Sequence, residues 1–194
     1  MFSSDVTADL SLLQRIVARD ERAVAELYDR HSRLVFGVIR RILRSAADAE
    51  DVLQETFVRV WSRADTYDPQ LGSPATWLVR IARNRAVDRL RAQRTRAAVD
   101  APLPDRSGPD AIQTPITDVS QRPDVRTQDA ATAAAIRGAM ARLPETQRVL
   151  IEAAFFEGYT HQELSVRFDV PLGTIKTRIR AGLLALRSHL EQAV

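Results

Sequence analysis

Trp77, Arg80, Arg83, Asn84, Arg91 and Arg94 are spaced so that, on a helix turning 100° per residue, they fall within one arc of about 120°. Arginine neutralises phosphate, an indole offers a stacking surface and a side-chain amide can meet a base edge. The stripe therefore suits a nucleic-acid backbone with unstacked bases. Composition alone leaves a plainer reading open, a solvated charged face with Trp77 turned into the core. The opposite side carries Leu78, Ala82, Ala86 and Leu90, an apolar set able to bury the helix.

A second basic set lies near the C-terminal end. Gly173, Thr174, Thr177, Arg180 and Ala181 share the side of a helix away from Ile175, Ile179, Gly182 and Leu186, with Lys176 and Arg178 at the flanks. Short hydroxyls among bases suit a helix laid in the major groove, where Thr touches base edges and Lys or Arg meets phosphate or guanine. A helical hairpin with a solvated outer face is the alternative. The third set is acidic: Asp48, Glu50, Asp51 and Glu55. Asp51 and Glu55 are four apart, a like-charge pair that costs an isolated helix a few tenths of a kcal/mol. With Gln54 and Val58 they face away from the apolar side, which favours a basic partner.

Catalytic chemistry finds no footing. Gly-rich phosphate loops, nucleophile elbows and paired metal-binding histidines are missing from the sequence, and cysteine is absent. His31, His161 and His189 are scattered and read as ordinary helix residues. Neither a metal nor a cofactor is expected. Without cysteine, a signal-like N-terminus or an apolar run near the ~20 residues that span a bilayer, a cytoplasmic protein is expected. Basic residues number 28 and acidic ones 25, and almost every base is arginine, Lys176 being the sole lysine.

The elements that must position these sets are helical. Apolar residues recur three and four apart from Val24 to Leu43 and again from Ala49 to Trp61. Ser45 can cap the second of these helices, and Ser73 followed by Pro74 opens a third that runs to about Arg94, after a loop over 65–72. Residues 98–127 hold five of the nine prolines, are net acidic and show no period, so they read as a flexible acidic linker. Beyond it, a helix is predicted from Ala130 to Leu143 and another from Pro144 to Gly158. Thr160 and Glu163 form a capping box with Tyr159 and Leu164 as a hydrophobic staple, which starts a short helix to about Phe168. Asp169-Val170-Pro171 interrupts it before a longer helix carrying Ile175, Ile179, Leu183 and Leu186. Short helix, tight turn, longer helix is a helix-turn-helix. The predicted fold is all-α, with two small helical domains, 1–97 and 128–194, joined by the linker 98–127.

Four segments in this order resemble a known family. They are Ala47 to Trp61 (ADAEDVLQETFVRVW), Ala75 to Arg91 (ATWLVRIARNRAVDRLR), Leu143 to Arg148 (LPETQR) and Val170 to Arg178 (VPLGTIKTR). They resemble the extracytoplasmic-function sigma factors of bacteria across nearly the whole chain apart from the linker. The resemblance implies a non-enzymatic subunit that binds core RNA polymerase, directs it to specific promoters and helps open the minus-ten element. It implies that Asp48, Asp51, Gln54 and Glu55 dock on a coiled coil of the polymerase β′ subunit. The minus-ten element would fall to Tyr67 and its loop to Ser73, with Trp77, Arg80, Arg83 and Asn84. The minus-thirty-five element would be read by Gly173, Thr174, Lys176, Thr177, Arg178 and Arg180, with this domain near the β flap. The linker would thread polymerase channels, and a separate anti-sigma protein would regulate the chain. Asp169 stands where related turns usually have Gly, and aspartate tolerates the left-handed conformation. Ala181 stands where many relatives carry arginine, so their promoter sequence does not transfer. A free-standing helix-turn-helix regulator is the rival; it leaves the acidic helix and the arginine stripe without a purpose.

Overall fold

The computed structural model describes residues 2–100 and 127–192. Its helices are α1 (Phe2–Val17), α2 (Glu21–Ile42), α3 (Ala46–Arg63), α4 (Pro74–Asp100), α5 (Thr127–Ala141), α6 (Glu145–Phe155), α7 (His161–Phe168) and α8 (Leu172–Glu191), and the described residues contain no strand. Backbone contacts divide the chain into two units, Met1–Val99 and Asp100–Val194.

In the first unit, α1 adds a helix to the three predicted. The polar, acidic opening of the sequence hides its apolar face, which lies further on, at the buried Leu12, Leu13 and Ile16. Charge fastens it to α2. Asp9 is only 4% exposed, and a carboxylate so buried must be paired to keep its charge. Arg30 Nε donates to its Oδ1 at 2.8 Å and His31 Nε2 to its Oδ2 at 2.7 Å. His31 is therefore a specific partner of the buried acid and not simply a residue of the helix surface. At the α1–α2 corner Arg15 spans Asp20 and Glu26, and Asp20 caps α2 by accepting from the Arg22 amide. Hydrogen bonding from Arg15 holds the Asp20 carboxyl below the usual carboxylate range.

Leu27, Val35, Ile39 and Ile42 of α2 and Val52, Leu53, Phe57 and Val60 of α3 supply most of the remaining core. Ser45 caps α3, accepting from the Asp48 amide as its position predicts. The stretch read as a loop folds into two single 3₁₀ turns, Ala64–Thr66 and Pro69–Leu71. Ser73 Oγ then accepts from the Thr76 amide at 3.3 Å, opening α4 at Pro74. Helix α4 outruns its expected end near Arg94 and takes in residues 98–100, because nothing before Pro102 breaks a run rich in Ala, Arg and Gln. The rest of the expected linker, 101–126, lies outside the described residues.

The second unit is built on the helix-turn-helix. Helix α6 ends at Phe155, and Gly158 takes φ +72° as the Tyr159 amide bonds back to Ala153 O. Both capping-box bonds form: Glu163 N donates to Thr160 Oγ1 at 3.2 Å, and Thr160 N to Glu163 Oε2 at 2.6 Å. Helix α7 spans the predicted residues and stops at Asp169, whose φ 50° and ψ 46° are left-handed. Across the turn, Val170 N donates to Ser165 O and Ser165 Oγ to Val170 O. Leu150, Ala153, Leu164, Ile175 and Ile179 form the core, with Tyr159 and Val170 against it. Gly182 is buried where α8 crosses α6; a Cβ there would lie 2.7 Å from Ile151 Cδ1 and 3.1 Å from Gln147 Cβ. Leu183, expected on the apolar side, is instead 50% exposed, since Gly182 and Leu186 turn inward.

The left-handed turn gives the first prediction. Asp169→Val places a β-branched residue in a conformation that costs roughly 1–2 kcal/mol, so the urea midpoint of the full chain, followed by helical circular dichroism, is expected to fall. Asp169→Gly is expected to match or exceed the parent.

Candidate nucleic-acid interfaces and acidic face

The arginine stripe of α4 is only partly as the spacing suggests. Arg80, Asn84, Arg91 and Arg94 are exposed and Arg83 is half-buried, whereas Leu78, Ala82 and Ala86 are buried. Trp77 is the correction: it is 6% exposed and turned into the core. Its indole meets the ring of Tyr67 edge-on with centroids 5.7 Å apart. The helix periodicity placed it beside Arg80 at the rim of the arc, and the side chain was large enough to be drawn under by the preceding loop. Trp77 thus forms part of a floor and is not an open stacking platform.

Tyr67 has a bracing role in the same place. Its hydroxyl donates to Gly72 O at 2.9 Å, and burial pushes the phenol's pKa up. Gly72, at φ +133°, closes that loop in a region that L side chains avoid. Arg83 Nη1 donates to Asn84 Oδ1 at 3.2 Å, so the Asn84 oxygen is engaged and its amide N–H groups remain as donors. Burial first, and then the like charge of Arg91, lower the pKa of Arg83.

These residues border a hollow of about 340 Å³ lined by Trp77, Arg80, Ile81 and Asn84 of α4. Its remaining walls come from residues that the sequence-derived stripe leaves out: Arg59 and Arg63 of α3, Thr66 of the first 3₁₀ turn, and Arg85 and Asp88. The four-residue spacing of Arg59 and Arg63 was the available signal, one shared face of α3. Among the described residues, Arg59, Arg63 and Arg80 have no carboxylate partner. The hollow therefore presents unpaired cations around an amide donor, over an apolar floor.

The acidic face is partly spent within the unit. Arg89 of α4 lies 3.3 Å from Asp48, 3.4 Å from Glu55 and 3.9 Å from Asp51. Gln93 also donates to Asp48 at 3.0 Å, and Arg85 pairs with Glu55 at 2.9 Å. Asp48 is 25% exposed and doubly held, so it braces α3 against α4. Asp51, Gln54 and Glu50 remain open to solvent, with Glu55 between the two groups.

On α8, Gly173, Lys176, Thr177, Arg180 and Ala181 are exposed, while Thr174 and Arg178 are half-buried. Thr177 Oγ1 donates its proton to Gly173 O at 2.9 Å. What Thr177 offers outward is a methyl group and oxygen lone pairs. Arg167 of α7 packs over the Tyr159 ring at 5.0 Å and donates to its hydroxyl. No group of His, Cys, Asp and Glu among the described residues is arranged to hold a metal ion, and no described helix is long and apolar enough to cross a membrane.

A helical unit with a cationic hollow, followed by a helix-turn-helix unit, has the features of a nucleic-acid-binding protein. Comparison with known proteins makes this specific. Residues 27–96 match the family model of Sigma-70 region 2 and residues 139–188 that of Sigma-70 region 4. The ECF RNA polymerase sigma factor SigK of Mycobacterium sp. (strain KMS) is 35% identical over 95% of this chain and 92% of its own. The ECF RNA polymerase sigma factor RpoE of Cereibacter sphaeroides is 39% identical over 96% of this chain and 97% of its own. A solved structure of Rhodobacter sphaeroides SigE in complex with the anti-sigma ChrR is 36% identical, covers 95% of this chain and 98% of that one, and gives a TM-score of 0.45. The chain belongs to the extracytoplasmic-function (ECF) RNA polymerase sigma factors, and it is a promoter-directing transcription initiation factor.

The α3–α4 junction yields a stability prediction. Arg89→Ala leaves Asp48, Asp51 and Glu55 facing one another. The partly exposed pairs are worth up to ~1 kcal/mol, so thermal denaturation at low salt should show a loss of that order, shrinking at high salt as the charges are screened. A loss independent of salt would assign Arg89 a packing role instead.

Proposed function

We propose that the two units divide promoter recognition between them. The 1–97 domain docks on the β′ coiled coil of core RNA polymerase through Asp51, Gln54 and Glu55, with Asp48 bracing that face from behind. Its hollow holds the opened minus-ten strand: Arg80 and Arg83 meet the backbone, while Asn84 and the loop from Tyr67 to Ser73 capture an unstacked base. Trp77 supports that loop from below. The 128–194 domain lays α8 in the major groove of the minus-thirty-five element beside the β flap. Thr174 and Thr177 face bases, and Gly173, Lys176, Arg178 and Arg180 lie along the backbone or guanines. The 98–127 linker passes through polymerase channels, a separate anti-sigma protein holds the chain inactive, and the chain acts in the cytoplasm without catalysis. The observation that supports the strand-opening role is the hollow itself, where Arg59, Arg63 and Arg80, which have no carboxylate partner among the described residues, share the lining with the Asn84 amide. Phosphate contacts and base capture offset the few kcal/mol that unstacking costs.

Co-elution with core polymerase, followed by promoter-specific transcription, tests the whole reading. Within holoenzyme, Asn84→Ala should leave polymerase association intact and reduce open-complex formation, read by permanganate reactivity of thymines, and a pre-melted template should restore much of the loss. Asp51→Arg should do the reverse and weaken association itself. If Asn84→Ala and Arg80→Ala both open linear duplex as well as the parent does, the stripe is a solvated face.

For the upstream element, Thr177→Ala is expected to change base preference across a panel of minus-thirty-five variants. Lys176→Ala should weaken all sequences alike and flatten the salt dependence by about one unit of slope. An unchanged panel with Thr177→Ala would remove Thr177 from the readers.

A further inference from the structure

Arg85 stands between the two surfaces of the first unit. It lines the hollow together with Arg59, Arg63 and Arg80, yet its Nη2 lies 2.9 Å from Glu55 Oε2. Its Nε is shielded from solvent and has no hydrogen-bond partner. Glu55 in turn belongs to the acidic face, and its other oxygen is held by Arg89 at 3.4 Å. One carboxylate therefore serves an intramolecular pair and an outward surface at once. The side chains of Arg85 and Glu55 are 38% and 41% exposed, and ion pairs at such exposure are weak enough to be exchanged for another partner.

We propose that Arg85 is a strand-contact residue held in reserve by Glu55, so that a basic polymerase surface taking Glu55 frees a fourth guanidinium for single-stranded DNA in the hollow. The proposal rests on the readings of the acidic face and the hollow given above. It makes the two sites linked: polymerase docking strengthens strand capture, and strand capture releases Glu55 for docking to the same degree. It also accounts for a pairing that otherwise sets the two surfaces against each other. While Glu55 holds Arg85, the hollow's charge is carried by Arg59, Arg63 and Arg80 opposite Asp88. Exchange at Glu55 adds a cation at its wall without moving a helix.

The test uses the full chain and a fluorescently labelled, mixed-sequence single-stranded DNA oligonucleotide, with binding read by anisotropy at several salt concentrations. Glu55→Gln keeps the side chain's size and removes its charge. It is expected to bind about threefold tighter than the parent and to steepen the salt dependence by ~0.7 in slope, one added phosphate contact on a single strand. Adding Arg85→Ala to Glu55→Gln should cancel both gains, whereas adding Arg85→Lys, which keeps the charge, should retain most of the affinity. Glu50→Gln makes the same charge change on an exposed acid of α3 that lacks an ion pair to Arg85, and it should bind like the parent. A gain of equal size in Glu50→Gln, or a gain that survives Arg85→Ala, overturns the reserve. Loss of binding in Arg80→Ala without any effect of Glu55→Gln overturns the reserve and keeps the strand site. Binding that is indifferent to Arg80→Ala and to every other variant removes the strand site itself, and the reserve with it.

Discussion

The junction between α3 and α4 decides which charges this protein can show to anything else. Arg89 reaches three carboxylates of α3 at distances from 3.3 to 3.9 Å. Each contact alone is of the kind that contributes little at a surface. Together they offset the repulsion between acids spaced three and four apart on one helix, so α3 can hold an acidic face at all. They also fix how α4 lies. With Asp48 tied to Arg89 and Gln93, the apolar side of α4 is turned inward at Leu78, Ala82 and Ala86 and the arginines are left outside. The cationic hollow and the open part of the acidic face are thus two results of one arrangement.

A different constraint governs the second unit. The helix-turn-helix depends on a chain reversal within three residues, between Phe168 and Leu172, and on a close approach of two helices. Asp169 supplies the first by adopting a left-handed backbone that most residues resist, and Gly182 supplies the second by having no Cβ. The capping box at Thr160 and Glu163 fixes where α7 begins. Once both ends of α7 are fixed, Ile175 and Ile179 can reach the core only from one side of α8. Lys176, Thr177 and Arg180 are exposed as a consequence. That exposed face is the one proposed above to read the minus-thirty-five duplex.

Local sequence signals were sufficient wherever the deciding interaction lay within a few residues. Ser45, Ser73, the capping box, the stop at Asp169 and the all-α character were all legible, because caps and turns are made by side chains bonding to their own neighbours. So was the family, since four motifs in order survive in the chain. Helix α1 was not legible, because its opening is polar and its anchor, Asp9, finds Arg30 and His31 only when α2 folds back against it.

The candidate sites divide along the same line. Periodicity alone placed Gly173, Thr177, Arg180 and Ala181 on the exposed side of α8, though it misplaced Leu183, and it put four arginines and Asn84 on one arc of α4, since rotation about a helix axis depends only on residue number. It could not say that Trp77 turns under Tyr67, that Arg59 and Arg63 arrive from another helix to wall the hollow, or that Asp48 and Glu55 are already engaged by Arg89 and Arg85. Those facts join residues up to 41 positions apart. They depend on how α3, the 3₁₀ turns and α4 pack, and only the tertiary structure decides that.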